Sequence, residues 1–178
     1  MAVKKTTDKS TFQFTVEPLE LKQLFRLLNA MPKDVQNGIR DKAQAMSKRL
    51  AGQLMMYAHA SPTPQAALVA ESILTPRDRV IRVDIGGTKK VGRKYGGTKS
   101  KRGTRTGQTA AAAGTLMWGS EGGSHPGVDR IGRKYTNRFG AGKNDGYWIK
   151  PAVDWYTPKV ADEYIVMVKA IIRENGLD

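Results

Sequence analysis

Seven apolar residues recur between 35 and 57: Val35, Ile39, Ala43, Met46, Leu50, Leu54 and Tyr57, at steps of 4, 4, 3, 4, 4 and 3. An α-helix returns to the same face every 3.6 residues, so this spacing gathers all seven on one stripe. It predicts a helix over about 32–59, restarted at Pro32, with Lys42, Lys48 and Arg49 off the stripe. Such a helix is roughly 40 Å long at 1.5 Å per residue. One apolar stripe of that length has to be covered, and the rest of the chain is the cover. Met46, Met55 and Met56 are read as core packing rather than as a partner groove.

Upstream, Phe12-Gln13-Phe14-Thr15-Val16 alternates like a short strand or ordered arm. Leu21, Leu24, Phe25, Leu28 and Met31 give residues 18–30 a helical apolar face, with Pro18 in the first turn. Downstream, Ser61-Pro62-Thr63-Pro64 breaks the long helix. Residues 68–74 and 79–85 read as a hairpin across the turn Thr75-Pro76-Arg77-Asp78. Ile81, Val83 and Ile85 face one way and Arg82 and Asp84 the other. At the far end Thr157 fits an N-cap and Pro158 a first helical position. Val160, Tyr164, Val168 and Ile171 then form a stripe on a helix over about 158–174, stopped near Asn175-Gly176.

Charge is unevenly spread. The chain of 178 residues carries a net +14, and residues 86–145 hold +10 of it: thirteen Lys/Arg against Glu121, Asp129 and Asp145. From Thr88 to Ala113 no periodicity is visible, and Lys89, Lys90, Arg93, Lys94, Lys99, Lys101, Arg102 and Arg105 sit among glycines with no acid between them. Arg130, Arg133, Lys134, Arg138 and Lys143 follow in a second glycine-rich stretch. These thirteen are the candidate contacts to subunits or DNA. Long aperiodic stretches are uncommon in compact domains and are usually functional or disordered. So dense a cationic cluster implies a polyanionic or acidic neighbour. Tyr95 is the one aromatic interleaved with the first stretch, which argues against base stacking on a single strand.

All three tryptophans, Trp118, Trp148 and Trp155, lie in or just beyond 114–151. Leu116-Met117-Trp118 and Gly146-Tyr147-Trp148-Ile149-Lys150-Pro151 read as two short strands anchoring a long loop. Gly119-Ser120-Glu121, then Arg138-Phe139, then Gly146-Tyr147-Trp148 with Pro151, then a C-terminal helix, resembles the tail-completion (neck) family of long-tailed double-stranded-DNA bacteriophages. The resemblance covers roughly the last third of the chain, and Gly122 stands where the family carries an aromatic. It implies that Trp118, Gly119, Ser120, Glu121, Phe139, Gly146, Tyr147, Trp148 and Pro151 form a structural signature without catalytic content. It also implies a homo-oligomeric ring, typically a hexamer, in the virion neck. The ring would be assembled in the host cytoplasm and would join a head-side connector or stopper protein to a tail terminator or tail tube protein around the DNA channel. A tail terminator is the alternative within that class. A stand-alone basic nucleic-acid-binding protein of ribosomal or chromatin type is the alternative outside it. The basic loops would either line a DNA path, touching phosphates without regard to sequence, or clasp acidic neighbours. Length and glycine content favour the clasp.

Enzyme chemistry has no constellation behind it. Gly140-Ala141-Gly142-Lys143-Asn144 lacks the first glycine and the Ser/Thr of a phosphate-binding loop, with Asn137 and Asn144 in those places. His59 and His125 are the only histidines, too few to converge on a metal, and Ser120 is not in a nucleophile elbow. No cofactor and no metal are expected. The absence of cysteine excludes disulfides and thiolate sites. No apolar run nears the ~20 residues of a membrane span, and no export signal is read at the N-terminus. The expectation is one α+β domain over 1–178: a small antiparallel sheet with helices packed on one face, an extended basic loop at 86–113 and a second loop at 119–145.

Overall fold

A computed structural model describes residues 11–16 and 31–176, apart from 96–97, 100–102, 104, 129–131, 133 and 136–138. The expected helix over 18–30 lies outside the described residues. The fold is α+β. The long stripe becomes helix α1, Lys33–Ala60. It buries Val35, Ile39, Ala43, Met46, Leu50, Leu54 and, beside them, Ser47, Ala51 and Ala58. Met46 is core, but Met55 and Met56 are exposed, so the core reading is corrected for those two.

Strand β1, Thr11–Val16, pairs antiparallel with β2, Ile81–Gly86, from Thr11↔Gly86 to Val16↔Ile81. Ile81, Val83 and Ile85 are buried, as the alternation requires. Arg82 and Asp84 share the other face, where the guanidinium Nε and Nη2 donate to the two carboxylate oxygens, each at 3.0 Å. The hairpin expected from 68–74 and 79–85 is not formed. Residues 64–70 are instead a short helix, α2, with Pro64 in its first turn and Ala66, Val69 and Ala70 buried at helical spacing. Only a two-way bridge between Leu74 and Asp84 remains of that pairing. Ser72 closes the corner: its hydroxyl donates to Val69 O at 2.6 Å and accepts from Gly86 N at 2.8 Å.

The basic stretch is not aperiodic in space. Strands β3, Lys90–Tyr95, β4, Thr98–Lys99, β5, Arg105–Thr106, and β6, Thr109–Ala112, pair antiparallel, β3 with β6 and β4 with β5. Tyr95 faces Thr109, and Thr98 faces Thr106. The pairing offset is the same at Tyr95↔Thr109 and at Thr98↔Thr106, and the β3–β6 ladder forms a two-stranded ribbon. The register shifts only between Val91 and Tyr95, at a bulge. The ribbon ends in helix α3, Ala113–Gly122, where a strand through Trp118 was expected. Helical burial explains the change: Ala113, Gly114, Met117, Ser120 and Glu121 are inside, while Trp118 falls on the outer face, 51% exposed.

A short ladder follows, β7, Gly127–Val128, with β8, Lys134–Tyr135. The chain then enters helix α4, Ile149–Glu174. The expected stripe is present, with Val160, Tyr164, Val168 and Ile171 buried. The helix nevertheless starts nine residues before Pro158, which lies in its interior, and Thr157 is buried rather than capping. Of the strand expected at Gly146–Pro151, Ile149, Lys150 and Pro151 are instead the first turn of this helix. Helix α4 covers α1: Arg49 pairs with Glu163 at 2.6 Å, and Tyr156 donates to Met46 O at 3.5 Å. The Tyr164 hydroxyl donates to Arg79 O, and burial pushes that phenol far above its ordinary value. The main core joins α1, α2, β2, Met117, Trp148 and α4, and a second, smaller cluster packs Met31, Val35 and Ile39 against Ile171. Among the described residues no helix is long and apolar enough to cross a membrane.

Leu50, 1% exposed, and Trp118 therefore part company. Leu50→Ala should lower the unfolding free energy by about 2–5 kcal/mol, and Trp118→Ala by only ~0.5–1 kcal/mol. Equal losses in equilibrium denaturation would mean the core is misplaced.

Candidate functional site

Helix α4 has no capping side chain of its own, because Trp148 occupies the N-cap position. The first four N–H groups of a helix have no partner within it. Here a carboxylate from α3 takes three of them. Glu121 Oε2 accepts from Trp148 N at 3.0 Å and Ile149 N at 2.7 Å, and Oε1 accepts from Lys150 N at 2.8 Å. The fourth position is Pro151, which has no N–H to satisfy. The carboxylate is buried and sits at the positive end of the helix dipole, where negative charge is favoured.

The neighbouring motif residues hold this carboxylate in place. Ser120 Oγ donates to Met117 O at 2.7 Å and accepts from the indole Nε1 of Trp148 at 3.3 Å. Trp148 itself is fully buried. Tyr147 N donates to Glu121 O at 2.8 Å, and the Tyr147 hydroxyl donates to Ala141 O at 2.7 Å. Gly146 has φ +70°, and a Cβ there would lie 1.9 Å from Glu121 Oε1. Gly119 faces the Phe139 ring, which a Cβ would approach to 2.8 Å. Two of the motif's glycines are thus required by close approach, one of a carboxylate and one of a ring. Thr63, buried just before α2, donates to Ser120 O at 3.0 Å and ties the same turn to a third element.

The structure therefore brings together Gly119, Ser120, Glu121, Phe139, Gly146, Tyr147, Trp148 and Pro151. Trp118 stands beside them on an open groove of about 460 Å³, also lined by Gly146, Ile149, Val153 and Lys150. Lys150 pairs with Asp154 at 2.9 Å and Asp145 at 3.8 Å, and the Asp154 hydrogen bond raises its ammonium above its ordinary value. Sequence reasoning missed Thr63 and the capping role of Glu121. A signal existed: the helix opens on Tyr147-Trp148-Ile149-Lys150-Pro151, with no Ser, Thr, Asp or Asn to cap it, so a remote acceptor was needed.

The cationic candidates are distributed differently. Lys90, Arg93 and Lys94 are exposed on β3, while the Lys89 ammonium donates to Glu71 O. Lys99 in β4 stands opposite Arg105 in β5. Lys134 is exposed on β8, and Lys143 lies over the Tyr147 ring at 5.2 Å. Lys101, Arg102, Arg130, Arg133 and Arg138 lie outside the described residues. His59 and His125 are both exposed, and among the described residues no group of three or more His, Asp or Glu could hold a metal. Compared with protein-family models, curated proteins and solved structures, the chain shows no significant match.

Glu121→Ala removes the acceptor of three N–H groups, each costing about 1–3 kcal/mol when left unpaired in a buried setting. Denaturation should show a loss of at least ~3 kcal/mol. Gly146→Ala should cost far more than Gly176→Ala, where φ is +64° but a Cβ meets nothing within 4 Å. Similar losses at the two glycines would refute the close packing of Gly146 on Glu121.

Proposed function

We propose that the chain is a structural protein of a phage neck, of the kind the tail-completion family represents. It would assemble as a homo-oligomeric ring between the head-side connector and the tail tube, with DNA passing through the lumen. The observation that carries this reading is the bracket around Glu121. Eight of the nine residues shared with the family signature meet there and act on one another by capping, hydrogen bonding and close packing. A signature spent on holding a helix in place fits a protein whose work is geometry.

Two surface features support the same reading. Trp118, the ninth motif residue, is left half exposed on the groove beside the bracket. In a ring, a second copy of the chain would cover this face, since buried aromatics anchor subunit contacts. The β3–β6 ribbon stands on the core with only Val91 and Ala110 buried among its described residues. Within this class a tail terminator would share the architecture and differ in its axial neighbour.

Mass measurement of the purified chain, alone and mixed with a tail tube protein, tests the reading. A closed oligomer, or one that forms on mixing, is expected, and Trp118→Ala should weaken it while leaving the monomer folded. A chain that stays monomeric under both conditions yet binds DNA tightly would instead be a stand-alone nucleic-acid-binding protein.

A further inference from the structure

Three times in the chain an asparagine or aspartate is followed by glycine: Asn37-Gly38, Asp145-Gly146 and Asn175-Gly176. In such a pair the glycine's backbone nitrogen can attack the side-chain carbonyl carbon of the residue before it and close a five-membered ring. Glycine has no side chain to shield that nitrogen or to stiffen the backbone beside it. Ring closure still requires the backbone to turn at the pair, so the fold decides which pair reacts. Two of the three are held. Asn37-Gly38 lies in the second turn of the 28-residue α1, between the buried Val35 and Ile39. There Asn37 Oδ1 accepts from Arg40 Nη1 at 3.3 Å, and Asn37 O accepts from Arg77 Nη2 at 3.5 Å. Asp145-Gly146 adjoins the bracket. Gly146 N donates to Lys143 O at 3.2 Å, Tyr147 N donates to Glu121 O at 2.8 Å, and Glu121 Oε1 fills the space beside the Gly146 Cα.

Asn175-Gly176 is placed differently. Both residues are exposed at the C-terminal end of α4. Asn175 is the C-cap, with φ −103° and ψ 12°, and Gly176 follows at φ +64°, the left-handed glycine that commonly ends a helix. The bonds at the pair all return to the last turn of the same helix. Asn175 N donates to Ile172 O at 3.2 Å, Asn175 Nδ2 to Ile171 O at 2.8 Å, and Gly176 N to Arg173 O at 3.0 Å. Opening a helix's last turn costs little beside opening its middle. Among the described residues nothing lies within 4 Å of a Cβ placed on Gly176, so the backbone there has room to turn.

We propose that Asn175 is a deamidation site, the one pair of the three that reacts in the folded chain, and that the reaction loosens the end of α4. The Gly176 nitrogen forms a bond to Asn175 Cγ, the bond from Cγ to Nδ2 breaks, and Nδ2 leaves as ammonia with the proton that Gly176 loses. Water then opens the succinimide. Addition at Cγ gives aspartate. Addition at the backbone carbonyl gives isoaspartate, whose main chain runs through Cβ and Cγ. Either way a water is consumed and an ammonia released. Both products lose the Nδ2 donor to Ile171 O and place a negative charge at the negative end of the helix dipole. The turn that loses its cap is the one that carries Ile171 and Ile172 onto Met31, Val35 and Ile39, so the smaller core cluster is what loosens. None of this depends on the neck reading.

The full chain is kept for weeks at neutral pH, native and in parallel in concentrated urea, then digested with trypsin and read by chromatography and mass spectrometry. Peptides 34–40, 144–159 and 174–178 report Asn37, Asp145 and Asn175. In the native sample 174–178 should gain the mass of an amide-to-acid exchange and split into aspartate and isoaspartate forms. Peptide 34–40 should stay intact, and 144–159 should stay a single peak. In urea Asn37 and Asn175 should convert at similar rates, because the fold alone separates them. Asn175→Gln keeps the amide but cannot close a five-membered ring, and its peptide should stay unconverted. Asn175→Asp should speed amide hydrogen exchange at residues 172–175 severalfold and leave Trp148, Ile149 and Lys150 unchanged. An unconverted 174–178, or native conversion of either other peptide at the same rate, overturns the site. A 34–40 peptide that stays intact even in urea overturns the argument that the fold protects it. Unchanged exchange in Asn175→Asp overturns the loosening of α4.

Discussion

The structure turns on one carboxylate. Glu121 is buried, which is unfavourable for a charged group unless it is fully hydrogen-bonded. Three backbone N–H groups and a helix dipole supply that bonding, and Pro151 removes the fourth demand. The benefit is mutual: an orphaned helix end and a buried charge, each costly alone, satisfy each other. Because the partners belong to α3 and α4, the contact also fixes where α4 begins. From that point Ile149, Ala152, Tyr156, Val160, Tyr164 and Val168 fall in turn onto the core that α1 presents.

The rest of the motif follows from this contact. Gly146 has to be glycine because the carboxylate occupies the space a Cβ would need. The Ser120 hydroxyl accepts from the indole of Trp148 and so locates the largest side chain of the core. The ribbon grows from the other end of α3, with its base tied by backbone bonds to Gly87 and Lys89. Helix α3 is therefore the hinge between a fixed interior on its C-terminal side and a cationic appendage on its N-terminal side.

What the sequence disclosed depended on the range of the deciding interaction. The 35–57 stripe and the 160–171 stripe were legible because a helix's own period writes them, and the alternation at 81–85 was legible for the same reason. Non-local terms decided the misread elements. Trp118 and Trp148 looked like strand residues from local preference, yet Trp118 rides outside a helix and Trp148 precedes one, because Glu121 serves a helix end 28 residues away. Pro158 looked like a helix start, but the remote cap had already started the helix. Strand β2 was assigned to a near neighbour, whereas its partner lies some seventy residues upstream. The β3–β6 ribbon was invisible because β3 offers only Val91 and Tyr95 as large apolar residues and β6 only small ones. Eight of the motif residues named from the sequence lie together in space, but the contacts they make, Glu121 capping α4 above all, were not legible in it.

The central claim is that Glu121 holds the start of α4 by capping its backbone. Native-state amide hydrogen exchange at Trp148, Ile149 and Lys150 reads this directly. In the wild-type chain these three amides should be protected like those in the middle of α4, and in Glu121→Ala they should exchange freely while the middle of the helix stays slower. Three unprotected amides in the wild-type chain would contradict the account.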